Sequence, residues 1–100
     1  MAAGACVHPY AVVEDAQLKA FDAAGVVGRI GTLAIGFTDT GEFPTRLRVL
    51  MVIAEDAVGA LSPALDGGWR LAGLELARSR LARTKDGWLG RAEWAVRLFR

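Results

Sequence analysis

The chain has a single cysteine, Cys6, and a single histidine, His8, in 100 residues. One cysteine excludes an internal disulfide framework and a multi-cysteine zinc site, and one histidine excludes a histidine cluster within one chain. Serine is almost as scarce. Ser62 and Ser79 are the whole set, and neither stands in the Gly-x-Ser-x-Gly setting of a nucleophile elbow. No apolar run reaches the length of a membrane-spanning helix, because Lys19, Arg29, Arg48, Glu55 and Asp66 interrupt every candidate. The first residues, Met1 to Cys6, are small but lack the basic and apolar stretches of a secretory signal, so a reduced, cytoplasmic setting is expected.

What is present is a globular composition, 53% hydrophobic and 23% charged, in a length suited to one domain over residues 1–100. The net charge of +1 gives no global reason to expect nucleic acid. It conceals an asymmetry. Residues 1–68 carry four bases and eight acids, whereas residues 69–100 carry eight bases and three acids. If the two parts fold to opposite sides, copies attract head to tail, and such contacts close into rings or run on into filaments. The alternative is that the two parts neutralise each other within one subunit.

Candidate chemistry fails on context. Gly25-Val-Val-Gly-Arg-Ile-Gly31 is glycine-rich but lies between an expected helix and an expected strand, the reverse of a dinucleotide fingerprint. Glu55-Asp56 closes an expected strand, where neighbours point to opposite faces and cannot converge on a substrate. Cys6 has only His8 nearby as an activating neighbour, at a spacing that does not poise a pair. No enzyme, cofactor or metal is expected.

The periodicity predicts an α+β fold: a mainly antiparallel sheet of about four strands, one N-terminal helix packed on it, and a C-terminal β-hairpin. Residues 1–12 read as an irregular arm. Val13 to Ala24 reads as a helix with acids in its first turn and Gly25 as its stop. Leu33, Ile35 and Phe37 alternate with small residues as a half-buried strand, and Thr38 to Glu42 is turn chemistry around Gly41. Arg46 to Ala54 is apolar at both parities, as in a central strand, with Pro44 at its mouth. Glu55 to Gly68 leaves little room for a crossover helix.

Residues 70–100 read as a hairpin. Leu71 to Arg83 fits a helix or a strand, but Thr84-Lys-Asp-Gly-Trp88 matches a three-residue hairpin loop with Gly87 left-handed, which favours the strand. That turn sets Thr84 opposite Trp88, Leu76 opposite Val96, Leu74 opposite Leu98, Glu75 opposite Arg97, Ser79 opposite Glu93 and Arg78 opposite Trp94. The hairpin tip holds the candidate interface residues Arg78, Arg80, Arg83, Lys85, Trp88, Arg91 and Trp94. Arg and Trp concentrate at interface centres. The same tip read otherwise is a solvated edge that blocks strand addition, or a phosphate-binding patch. A ligand pocket would draw on Met51, Trp69 or Trp94, residues that otherwise read as core.

Three segments resemble the tail-terminator family of tailed bacteriophages, in its Mu-like prophage branch: Val13-Val-Glu-Asp-Ala-Gln-Leu-Lys-Ala-Phe21, Arg46-Leu-Arg-Val-Leu-Met-Val-Ile-Ala54 and Lys85-Asp-Gly-Trp88. The resemblance spans about two-thirds of the chain. It departs from that family at Glu55 to Gly68, where a fuller helix is usual. It implies a non-enzymatic homo-oligomer, a hexameric ring in the virion that is assembled in the host cytoplasm and meets other tail or neck proteins. It implies no catalytic residue, while the interrupted apolar runs and the near-neutral charge give no reason to expect a membrane or direct nucleic-acid contact. The alternative is a small nucleic-acid-binding or regulatory protein acting through the basic hairpin.

Overall fold

The computed structural model describes residues 7–22 and 24–100. Cys6 and the first half of the expected arm lie outside the described residues. The elements in order are β1 (Tyr10–Ala20), β2 (Gly28–Thr40), α1 (Thr45–Gly59), a single 3-10 turn (Asp66–Gly68), β3 (Arg70–Arg83) and β4 (Gly87–Phe99). They make one four-stranded sheet in the order β1-β2-β4-β3, every neighbouring pair antiparallel. The α+β class, the four antiparallel strands, the single helix and the C-terminal hairpin are as the periodicity predicts.

Two elements exchange places with the expectation. Val13 to Ala24 is not a helix: residues through Ala20 form β1, paired along its length with β2. Isolated helices of this length are marginal in water, and the segment offers only an incomplete apolar stripe. The β-branched Val12 and Val13 instead complete a ladder, which Gly31 permits because a Cβ there would run into the Gln17 carbonyl. Conversely, Arg46 to Ala54 is not a strand but the body of α1. An apolar run at both parities also satisfies helical spacing, and Leu47, Leu50, Met51, Ala54 and Val58 turn one face to the sheet. Pro44 marks the start, where a missing N–H costs nothing, and its carbonyl accepts from the Arg48 N–H at 2.9 Å.

The helix is the crossover that the sequence reading had no room for. It carries the chain from β2 to β3, which run parallel with β4 between them, and it packs across β2, β4 and β3. Its residues Leu47 and Met51 meet Phe37, Ala92 and Trp94 in the core, with Leu33, Ile35, Leu74, Leu81, Trp88 and Val96 around them. Gly90 is bare because Met51 lies against it. Hence β4 turns its even-numbered residues to the helix and its odd-numbered ones to the opposite, helix-free face.

The hairpin forms with a different register. Arg83 pairs with Trp88, Arg78 with Glu93, Leu76 with Trp94, Leu74 with Val96 and Leu71 with Leu98. The turn is one residue tighter than expected, with the Thr84 N–H donating to the Gly87 carbonyl at 2.8 Å. Register shifts between Leu71 and Gly73 and between Leu76 and Arg78 move the pairing again. Arg78 therefore never faces Trp94. Gly87 is also not left-handed; among the described residues the positive-φ glycines are Gly25, Gly41, Gly67 and Gly68. A side chain at Gly87 would strike the Asp39 carbonyl of β2, so its bareness serves strand approach rather than the turn.

Candidate assembly edges

The strand order puts one strand of the acidic part, β1, and one strand of the basic part, β3, at opposite edges of one sheet. β1 carries Glu14 and Asp15 against Lys19, with Asp22 just beyond its end. β3 carries Arg70, Arg78, Arg80 and Arg83 against Glu75. Ion pairs among the described residues use Arg29, Arg46 and Arg91, so none of the four β3 arginines is held by a carboxylate. Each edge strand leaves one side of its backbone ladder without a partner strand. Most side chains on β1 are in solvent on both faces, Val13 at 62% exposure among them.

Bulges decide which face each edge charge occupies. Arg91, on the helix-free face of β4, bonds Glu14 at 3.2 Å and Glu93 at 3.0 Å. Pairing sets Arg80 beside Arg91 and Arg78 beside Glu93, on that same face. The shift after Leu76 is what brings them there; it leaves Ser79 and Leu81 on the helix side, where the Ser79 hydroxyl donates to Glu55 at 3.1 Å. An open groove of about 620 Å³ crosses this end of the helix-free face, lined by Tyr10, Val12, Glu14, Thr38, Arg80 and Leu89, among others.

The seven candidate interface residues separate accordingly. Arg78, Arg80 and Arg83 lie on the free edge strand, and Lys85 lies in the turn. Trp88 is half-buried; Arg83 lies over its ring at 5.4 Å, and its Nε1 donates to the Glu42 carbonyl at 3.3 Å. Trp94 is core, 3% exposed, and Arg91 is already engaged by two glutamates. Both support the sheet from an inner strand. Met51, Trp69 and Trp94 do not converge: Met51 and Trp94 are core, while Trp69 has the guanidinium groups of Arg29 and Arg100 over its ring at 5.4 and 5.6 Å. The reading by sequence missed the opposite edge, Val12, Val13, Asp15 and Leu18. Val12 falls in the expected arm and the others in the expected helix, because the bulge between Val13 and Asp15 breaks the alternation that would mark a strand.

One buried charge belongs to the fold. Asp39, 3% exposed, accepts from Arg46 Nε at 3.0 Å and Nη2 at 2.6 Å, and from the Thr40 N–H at 2.8 Å. The Arg46 hydrogen bonds hold its carboxyl below the usual carboxylate range, against the opposing pull of burial. This pair ties the end of β2 to the first turn of α1.

Among the described residues, no group of three histidine, cysteine or acidic side chains is arranged to hold a metal ion. Among the same residues, no helix is long and apolar enough to cross a membrane. No protein-family model matches the sequence, and no curated protein matches it.

Proposed function

We propose that this chain is a non-enzymatic assembly subunit of a bacteriophage tail or neck, joining copies of itself head to tail into a ring. The observation that carries the reading is the pair of sheet edges: both lack a partner strand beyond the bridge of Ala64 to Arg70, β3 is basic where β1 is weakly acidic, and they run in opposite directions. Four alternating strands make β1 and β3 antiparallel to each other. A copy rotated about an axis along the strands therefore brings its β1 antiparallel to β3 of its neighbour, and the alternation continues unbroken. That contact is heterologous and closes when the rotation completes a circle. Edge charges then steer the encounter and penalise β3 meeting β3.

The tail or neck assignment rests on the resemblance. The resemblance calls for a helix at Glu55 to Gly68, after a central strand; α1 instead runs over Thr45–Gly59, so Arg46 to Ala54 is helix where the resemblance has that strand. The Val13 segment is a strand, so the resemblance does not extend to its local structure.

Light scattering across protein and salt concentration tests the reading. A discrete oligomer, weakened by salt and by Arg78→Glu with Arg80→Glu, is expected. A strict monomer at high micromolar concentration in both low and high salt overturns it. The row of unpaired arginines along β3 also favours a second reading, a phosphate backbone as the acidic partner. Binding to single-stranded nucleic acid that falls steeply with salt would favour that reading instead.

A further inference from the structure

We infer that α1 of each subunit roofs β1 of the next, so that the layer left incomplete within one chain is completed by a second copy. The inference rests on the head-to-tail reading above and adds a register and a contact to it. Within one chain, α1 covers β2, β4 and β3, while Val13 and Leu18 of β1 stay exposed on the helix side. Beside the free edge of β3, a groove of about 260 Å³ opens between the helix and the strand, lined by Arg48, Met51, Val52, Glu55, Ser79, Arg80 and Leu81. Its floor is apolar, and Val52 is 56% exposed. An incoming β1 would lie against this opening.

The register follows from rows traced across the sheet. Pairing aligns Val13 with Ile35, Ala92 and Ser79, and Asp15 with Ala34, Glu93 and Arg78. It also aligns Ala11 with Leu81, Ala16 with Leu76 and Leu18 with Leu74 at the two edges. A neighbour related by rotation without sliding along the strands meets β3 in these same rows. Asp15 then faces Arg78 on the helix-free side. On the helix side Ala11 meets Leu81, Ala16 meets Leu76, Leu18 meets Leu74, and Val13 comes beside Ser79 at the mouth of the groove under Val52. One charge pair and three apolar pairs fall into place in this register, while Val12 meets Arg80 and Gln17 meets Glu75 on the helix-free side, and a one-residue slip would reverse every face.

Cysteine pairs on a Cys6→Ser background test this directly. Val13→Cys in one preparation is mixed with Val52→Cys in another under mild oxidation; a disulfide between the two is expected. Each chain carries only one of the two cysteines, so a link between positions 13 and 52 can only join copies. Mixed Asp15→Cys and Arg78→Cys probe edge pairing alone, and Leu18→Cys with Val52→Cys is the off-register control. Val52→Glu should weaken assembly by about tenfold or more with its circular dichroism unchanged. A 15–78 link without a 13–52 link overturns the roof and leaves the edge pairing standing. Oligomers with neither link overturn the register and the roof while the ring persists through another surface. A monomer that yields no link overturns both the inference and the reading beneath it.

Discussion

The two inner strands and the two outer strands share one backbone geometry but sit in different environments. On β2 and β4, Phe37 and Ala92 are fully buried and Trp94 nearly so, beneath Leu47 and Met51 of α1. On β1 and β3, Val12, Val13, Leu18 and Leu76 remain exposed. The cause is dimensional. A 15-residue helix is about 22 Å long and about 10 Å wide, whereas the molecule extends over 52 × 28 Å. One helix cannot cover such a sheet. Packing energy is therefore concentrated at the centre, and the edges are held by ladder hydrogen bonds and left open to a further partner.

That contrast can be broken most sharply in the core. Trp94→Ala should cost about 3–5 kcal/mol in chemical denaturation, whereas Val13→Ala on the edge should change monomer stability by less than about 0.5 kcal/mol. Equal losses would mean that β1 is as well packed as β4. A second comparison sets two glycines of β4 against each other. Gly87→Val pushes a branched side chain at β2 backbone and should destabilise by about 2–3 kcal/mol, more than Gly90→Ala, whose obstacle is the movable Met51 thioether. If Gly87→Val is neutral, the close approach of β2 and β4 at the hairpin end is wrong.

Acid titration separates the α1 anchor from the edges. Because the Asp39 carboxyl is held below its unfolded value of 3.8, its contribution is fully present at neutral pH and is lost as pH falls below about 4 through the depressed value. Asp39→Asn should lower the midpoint of thermal unfolding at pH 7 and flatten the acid limb below about pH 4. Wild-type and variant curves that stay parallel there would exclude this source. The smallest effect belongs to β3. Arg78→Glu should leave monomer stability within about 0.5 kcal/mol while shifting any oligomer towards smaller species by light scattering.

Local punctuation accounts for what was legible beforehand. Gly41 takes positive φ as its turn demands. The alternation of Leu33, Ile35 and Phe37 marks β2, and the pattern from Trp88 to Leu98 marks β4. The opposite charge of the two sequence halves was visible too, and strand order put one strand of each half at an outer edge. The hairpin register was not legible. Each shift moves the pairing by one residue, and the features that shape it, the bare Gly87 against β2 and the bulge after Leu76, involve residues distant in sequence or small displacements of the ladder.

By itself, the amino-acid order determined the inventory: one helix, four strands, a terminal hairpin, a scarcity of catalytic side chains and a segregation of charge. Tertiary structure alone decided which ambiguous segment became helix and which became strand. Val13–Ala20 and Arg46–Ala54 each satisfy more than one period, so local preference differs little between the alternatives. The choice fell to the surfaces on offer: a ladder beside β2 for the first, and a sheet face of Phe37, Ala92 and Trp94 for the second.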